Sequence, residues 1–571
     1  MATILVMLFF SIIGFIFTPS SFLIILIAII LLFHQIVRFI TIYQHLDSKV
    51  YYFSFAVILS FIVGWSLVIT FYGQNYHHPL FMEKLAIGQA HIDTLFHTAI
   101  CYLFSNYNIP STGLHGLQYI HYHYGSHIIM ACLAKLINLK PIIFYNLAYP
   151  IVFIPFFFKA SFIAILKLQN HLKNNTSITF LFLSVFGVTI ILSPLIFNTL
   201  PGGIPFGSES YNIAIGFSLL FLTDVFQFLD DIKKNPSRYV LLLLYYSFAV
   251  VALLFLKVSI GLLFFTLISY LLFREFLLTN WKFWVYLILN LLFIYAFYKL
   301  MGESNSTVLS IKTILIYNLA TIKYYFWPYF LIIIFFITNG ISLNKKGYQK
   351  IKEKIKSKET IFLELLLVVS IAGALPSFIL RTLSKIDIYY FVSYQFFLGT
   401  VIVIPYFFNL FPERILSLKS IPVKIFIFSS LVFYSLFPIE QLYQKYFQLA
   451  AEKNSIISEA LVNKNYVFFK KLDSYPYKKN SAFYIPKNDT AYYNMQKYRP
   501  LGIYFAIPAI AGLPQLYSIP DSAAQLNYNF SSYAKIKFPN SQEEVVSEAK
   551  KLGFSHLYLV NKKSEIVQVN F

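Results

Sequence analysis

Histidines gather in one segment of this chain. Eight of the twelve lie between His77 and His127, close to sequence that is almost wholly apolar. Imidazole side chains can move protons near neutral pH, bind a divalent metal, or hydrogen-bond a phosphate or a sugar. Titratable groups held where bilayer meets water are costly unless they bind or transform something. The segment therefore predicts the active site of an integral membrane enzyme.

The first pattern in the segment joins a carboxylate to an imidazole. Asp93 and His97 are four residues apart, so on a helix they share one face and lie one turn apart. We expect Asp93 to deprotonate or orient an acceptor hydroxyl, with His97 assisting, and His91 to contact substrate. A helix N-cap or an interfacial polar face is the alternative role for Asp93.

The second pattern runs from Tyr119 to His127. His121 and His123 alternate as on a strand, whereas His123 and His127 lie one turn apart if the segment is helical. Contact with substrate, ligation of a divalent metal and simple interfacial anchoring remain open. The substrate-contact candidates are His121, Tyr122, His123 and His127, and the metal-ligand candidates are Asp93, His123 and His127. The residues at 108–116 predict a turn between two short amphipathic helices.

The composition indicates a polytopic membrane protein. Hydrophobic residues make up 58% of the 571 positions and charged residues 12%, against about 25% charged in soluble domains. Apolar runs of about 20 residues recur, the length that crosses a bilayer. We predict an all-α bundle of about 13 transmembrane helices, with interfacial helices in the first long outer loop at 73–141. The candidate spans are 3–17, 20–41, 51–72, 142–166, 177–199, 211–230, 239–256, 258–274, 281–300, 310–341, 360–380, 390–410 and 422–438.

Lysine placement orients these spans. The loop at 344–359 carries seven lysines and is predicted to be cytoplasmic. The loops at 73–141, 200–210 and 381–389 then face outward, as does the tail. The apolar run at 128–138 is too short to span and is predicted to be interfacial or re-entrant. The net charge of +21 is explained by orientation and anionic lipid rather than by nucleic acid.

The tail differs in character from the rest of the chain. Ala482–Ile485 and His556–Val560 read as strands. A helix is predicted between Ser541, as its N-cap with Glu544 three residues on, and Gly553 at its C-terminal end. We therefore expect two domains, a transmembrane domain at 1–439 and a small extracytoplasmic α/β domain at 440–571.

The architecture and two motifs resemble type C glycosyltransferases, the membrane enzymes that use sugars carried on polyprenyl phosphate. The motifs are Asp93-x-x-x-His97 with Tyr122-His-Tyr-Gly-Ser-His127, and the tail stretch Phe505–Pro514. The sequence looks most like a poorly characterised bacterial branch of that superfamily. The resemblance implies that Asp93 is the catalytic acidic residue and that the protein lies in a bacterial cytoplasmic membrane. Members that use a metal often pair two acidic residues, whereas here His91 stands near Asp93.

A lipid-linked sugar donor requires a cationic contact for its phosphate at the outer membrane surface. Arg381 and Lys385 fit this role, with snorkelling or pairing with Asp387 as the alternative. Glu209 is a further candidate for substrate contact, although it can equally belong to a plain connecting loop. The expected reaction moves a sugar from a polyprenyl-phosphate carrier to a lipid, glycan or protein acceptor. No cofactor other than a divalent metal is expected, and no nucleotide-binding loop is found.

Two other function classes stay open at this stage. A transporter or a flippase for lipid-linked glycans would use a similar bundle, but it usually shows internal repeats and ionisable residues deep in several spans. A glycan polymerase or ligase would be expected to use arginines in a large outer loop. The loop at 73–141 has no arginine.

Overall fold

The computed structural model describes residues 77–172, 208–301, 361–379, 451–520, 536–560 and 565–571, with a few single positions elsewhere. These residues are mostly helical and include one small sheet. The helices of interest are α1 (Phe81–Ala86), α2 (Ile92–Tyr107), α3 (Gly125–Leu136), α4 (Tyr149–Leu172), α5 (Glu209–Lys234), α6 (Tyr239–Leu256), α7 (Val258–Phe276), α8 (Trp281–Met301), α9 (Ile361–Ile379), α10 (Lys464–Ser474), α11 (Ala506–Ala511) and α12 (Gln542–Lys551). The strands are β1 (Ser481–Tyr484), β2 (Gln515–Leu516), β3 (His556–Val560) and β4 (Ile566–Asn570).

Three of the described helices are long and apolar enough to cross a membrane: α6, α7 and the part of α8 at Trp281–Lys299. The count rises to four if α3 and the following Pro141–Ala148 segment form one broken span, with a bend of 112° between them. The chain is thus a membrane protein by the length and composition of these helices, but the predicted thirteen spans are not supported. The spans predicted at 3–17, 20–41, 51–72, 177–199, 310–341 and 422–438 lie outside the described residues.

The bend after α3 falls at the apolar run that the sequence predicts to be interfacial or re-entrant. Asn138 adopts a left-handed conformation with φ of 54° directly after the helix, and Pro141 begins the next turn. Both features end a helix, because a left-handed residue reverses the chain and proline cannot donate a backbone hydrogen bond. A broken span and a re-entrant loop both fit this geometry.

The chain divides into two compact units, each described here by itself. The first unit comprises residues 1–37, 69–151 and 445–571, and the second comprises 38–68 and 152–444. The domain boundary near residue 440 stays a prediction. The structure adds that the histidine-rich segment and the tail belong to the same compact unit.

The second unit contains the three candidate spans. Its helices α6 and α7 are joined by Lys257 alone, a buried residue in extended conformation. Gly261 allows the two helices to approach, because a Cβ there would lie 2.7 Å from the Leu254 side chain. Between α7 and α9, Arg274 Nε donates to Glu364 Oε2 at 2.7 Å. The two charges stay in an apolar setting because they compensate each other.

The first unit contains a mixed four-stranded sheet with the order β2-β1-β3-β4. Strand β1 is parallel to both β2 and β3, and β4 is antiparallel to β3. The strands predicted at 482–485 and 556–560 are therefore confirmed, with β1 shifted by one residue. Ser541 caps α12 by accepting a hydrogen bond from the Glu544 N–H, as predicted. Gly553 follows the helix with φ of 84°.

The core of this unit is built from both parts of the sequence. Leu95 and Ala99 of α2, with no exposed surface, pack in one hydrophobic cluster with Ile507 and Ile510 of α11 and Phe469 of α10. Burial of the leucine, isoleucine and phenylalanine side chains contributes about 1.5–3 kcal/mol each. The tail stretch at 505–514 is therefore buried throughout, and its helix α11 supports α2. It fixes the position of the helix that carries Asp93 and His97.

Candidate functional site

An imidazole caps the N-terminus of α2. His91 is extended, and its Nδ1 accepts a hydrogen bond of 3.1 Å from the backbone N–H of Asp93. An Nδ1 that accepts carries no proton, so His91 is the neutral Nε2–H tautomer. Burial lowers the pKa of His91 to about 4, with Asp93 opposing this shift and Arg499 adding to it. The 3.6 Å approach of Nδ1 to Asp93 Oδ2 is therefore not an ion pair at neutral pH.

Asp93 lies in the first turn of α2, where a carboxylate is favoured by the positive end of the helix dipole. Its side chain keeps 15% of its surface exposed, whereas His91 keeps 3%. The segment is helical, so the predicted face is formed, with His97 one turn below Asp93. The N-cap role that was the alternative for Asp93 belongs to His91 instead. The carboxylate is left at the border between buried protein and solvent.

A buried pair of histidines lies one turn further along α2. His97 Nδ1 and His127 Nε2 are 2.7 Å apart, so one nitrogen carries the shared hydrogen and the other accepts it. His127 is fully buried at the start of α3, and its Nδ1 lies 3.4 Å from Ser126 Oγ. If His97 donates, His127 is left with its proton on Nδ1, facing Ser126. The pair can pass a proton between α2 and α3.

Aromatic rings enclose this pair. Phe96 meets the His97 ring edge-on at 5.1 Å, and Tyr145 stacks on it at 6.1 Å. Tyr122 approaches the His127 ring at 5.8 Å. An apolar wall strengthens the hydrogen bond between the imidazoles and disfavours a charge on both. Tyr122, predicted to contact substrate, is thus part of the wall around the histidine pair.

The remaining residues of the second pattern are arranged differently from both predicted spacings. The helix α3 begins at Gly125, and no strand forms at 119–124. His123 therefore precedes the helix and is not one helical turn from His127. His123 stacks on Tyr122 at 3.9 Å, and His121 is exposed. The turn predicted at 108–116 is confirmed as a loop, which Asn108 starts in a left-handed conformation.

The predicted set of metal ligands is not assembled. In the described part of the first unit, no three His, Cys, Asp or Glu side chains bring ligand atoms within 4.8 Å of one another, so Asp93, His123 and His127 do not form a site. The His97–His127 distance of 2.7 Å also suits a hydrogen bond. Two nitrogens on a tetrahedral zinc at about 2.0–2.1 Å would lie about 3.3 Å apart. A divalent metal in this protein stays a prediction.

Three other histidines of the segment stabilise the fold in neutral form. The His77 ring lies between the rings of Tyr145 and Tyr149, and its Nδ1 donates a hydrogen bond of 2.7 Å to the Tyr145 carbonyl. Burial lowers the pKa of His77 to about 3. His78 accepts from the Leu80 N–H, and burial lowers its pKa to about 3 also. His115 Nδ1 accepts from the Tyr517 N–H, which ties the loop after α2 to the tail.

Arg499 is a candidate site residue that sequence reasoning missed. It is exposed, follows Tyr498 in the tail, and lies close enough to His91 to lower its pKa electrostatically. The segment is held in place because the Gly88 carbonyl accepts hydrogen bonds from the N–H groups of Lys497 and Tyr498, at 3.0 and 2.8 Å. No sequence spacing could reveal this, since about 400 residues separate the two segments. Arg499 supplies a guanidinium, which the loop at 73–141 lacks because it contains no arginine.

Three other predicted site residues belong to other parts of the chain. Arg381 and Lys385 lie outside the described residues. Glu209 is fully buried at the first position of α5 in the second unit. Its placement in the first turn of a helix suits a carboxylate, and its role in substrate contact stays a prediction.

No protein-family model matches this chain, and no curated protein matches it. Its class is therefore defined by fold and site: a helical membrane protein whose first unit carries a partly exposed carboxylate, a neighbouring guanidinium and a buried histidine pair.

Proposed function

We propose that the protein is a membrane glycosyltransferase that uses a sugar linked to polyprenyl phosphate. The observation that carries the proposal is the position of Asp93, whose partly exposed carboxylate stands beside His91 and one turn above the His97–His127 pair. Arg499 lies close enough to His91 to lower the pKa of that imidazole. Such a transfer needs a general base, a cation that binds the phosphate, and a group that accepts the proton from the base. The resemblance in sequence supports the same chemistry.

The proposed reaction has one bond-forming step. The acceptor hydroxyl oxygen attacks the anomeric carbon of the donor sugar while Asp93 accepts the hydroxyl proton. The bond from that carbon to the phosphate oxygen breaks, and polyprenyl phosphate leaves with the electron pair. Arg499 stabilises the phosphate charge, and Arg381 with Lys385 is assigned to the same phosphate from the sequence. His97 accepts the proton from Asp93, and His127 shares it.

The site works at the extracytoplasmic face of a bacterial cytoplasmic membrane in this proposal. The lysine-rich loop at 344–359 supports that orientation, because such loops stay in the cytoplasm. The bundle of about thirteen spans and the outward tail belong to the same proposal. The acceptor is a lipid, a glycan or a protein hydroxyl.

The test is transfer by the Asp93→Asn variant in lipid nanodiscs, with polyprenyl-phosphate sugars as donors and release of polyprenyl phosphate as the readout. We expect a loss of about 10²–10⁴-fold, the contribution of a general base. Glu543→Gln is the matched control, because it removes an exposed carboxylate of the same unit. Transfer by Asp93→Asn at the control rate would refute the role of Asp93. Transport of a lipid-linked glycan without transfer would favour the flippase class.

A further inference from the structure

A cleft opens in the tail at the edge of the sheet where β1 and β3 end. Its volume is about 610 Å³. Tyr484 is the last residue of β1, Leu559 and Val560 are the last of β3, and residues 538–542 pass over the opening into α12. Ligands of α/β sheets bind outside the carboxyl ends of parallel strands. The size falls within the ~300–1,000 Å³ typical of small-molecule sites.

The rim of the cleft is rich in uncharged polar groups. Asn488, Asn540 and Gln542 line it, and all three are exposed. A carboxamide both donates and accepts hydrogen bonds, which matches the hydroxyl groups of a sugar. Tyr484 and Phe538 also line the cleft, and both are partly exposed. Lys487 covers one face of Phe538, and the rest of the two rings offers apolar surface on which the C–H groups of a sugar can pack. Amides around aromatic rings are the chemistry that recognises a neutral saccharide.

The charges near the cleft give no preference for an anionic ligand. The N-terminus of α12 is already satisfied, because Ser541 Oγ accepts from the Glu544 N–H and Glu544 Oε2 accepts from the Asn540 N–H at 2.8 Å. Glu543 adds a second carboxylate to the same turn. Lys487 lies with its Nζ 3.9 Å from the centre of the Phe538 ring, a contact that the quadrupole of the ring stabilises. Lys487 is the one charged residue among those that line the cleft, and the carboxylates of Glu543 and Glu544 directly after Gln542 offset its charge. The cleft therefore has no excess of positive charge that would select an anion over a neutral sugar.

We propose that this cleft binds a short neutral oligosaccharide through the amides of Asn488 and Gln542 and the rings of Tyr484 and Phe538. The site is separate from Asp93 in its residues and does not depend on the proposed transfer. Where that transfer holds, the saccharide is part of the acceptor, and the tail selects the glycan that receives the sugar.

The experiment measures binding to the full-length protein in nanodiscs by saturation-transfer difference NMR. The probes are neutral trisaccharides of glucose, mannose, galactose and N-acetylglucosamine, and a trisaccharide of glucuronic acid as the anionic probe. We expect at least one neutral trisaccharide to bind. The double variant Asn488→Ala, Gln542→Ala should raise its Kd by about tenfold, because each amide hydrogen bond contributes about 0.5–1.5 kcal/mol.

Two further variants separate the site from folding and from catalysis. Val567→Phe should abolish binding by filling the cleft from an exposed position, 44% accessible, while Asn494→Ala, an exposed amide outside the cleft, should leave the Kd unchanged. Asp93→Asn should bind the trisaccharide like the wild type, so a failure of the proposed transfer and a failure of this site are distinguishable. Binding of no neutral trisaccharide, binding of the glucuronic acid probe alone, or an equal loss in Asn494→Ala would overturn the proposal.

Discussion

Replacing either histidine of the buried pair with phenylalanine should loosen α2 and α3. The hydrogen bond between His97 and His127 is 2.7 Å long, and both rings are buried. Phenylalanine preserves the ring but removes the nitrogen, so the remaining imidazole loses this partner without access to water. The cost of such a loss is about 1–3 kcal/mol. At about 1.36 kcal/mol for each factor of ten, amide exchange in α2 and α3 should accelerate by about 5–150-fold.

The measurement is hydrogen exchange by mass spectrometry on peptides from α2 and α3 in the His97→Phe, His127→Phe and double variants. The double variant should cost little more than one single variant, because either single substitution already breaks the hydrogen bond between the two rings. Peptides from α12 serve as the internal control and should be unchanged. Additive effects in the double variant would show that the two rings do not share a hydrogen bond, and would remove the proposed proton path.

Substitutions at His91, Gly88 and Arg499 test the surroundings of Asp93. Because the pKa of His91 is lowered to about 4 in the folded protein, the unfolded state binds more protons between pH 6.5 and 4, and His91 should contribute a fall in stability of about 3 kcal/mol as pH drops through this window. His77 and His78, with pKa values lowered to about 3, add to the fall in the same direction. His91→Asn keeps a capping acceptor and should make the pH dependence of thermal unfolding less steep by the contribution of His91. Gly88→Ala should lower the melting temperature by more than Gly553→Ala. Both glycines have positive φ, but only a Cβ at Gly88 would clash with the tail, at 2.5 Å from the Met495 carbonyl oxygen. Equal melting temperatures of the two variants would contradict this prediction. Arg499→Gln should raise the KM for the lipid-linked donor. Arg499→Lys should raise it less, because the lysine ammonium keeps a charge near the phosphate. An unchanged KM in both variants would exclude a contact between Arg499 and the phosphate.

Local patterns in the sequence were enough to predict the parts that depend on neighbours along the chain. The bounds of α6 match the predicted span at 239–256, and the Ser541 cap with Glu544 three residues on is present. The one-turn relation of Asp93 to His97 also follows from helical periodicity alone. Composition was a weaker guide to the number of spans, because an apolar run meets the length requirement whether or not the helix crosses a membrane.

The sequence by itself thus determined a helical membrane protein with a histidine-rich segment and a small α/β tail. Only the tertiary structure decided that the segment and the tail share one core, and that Arg499 stands near His91. The tertiary structure also decided which histidines are neutral and stabilise the fold, and which two are joined by a hydrogen bond. The physical reason is that a nitrogen's role depends on the partner it meets and on its burial, and those partners come from residues tens to hundreds of positions away.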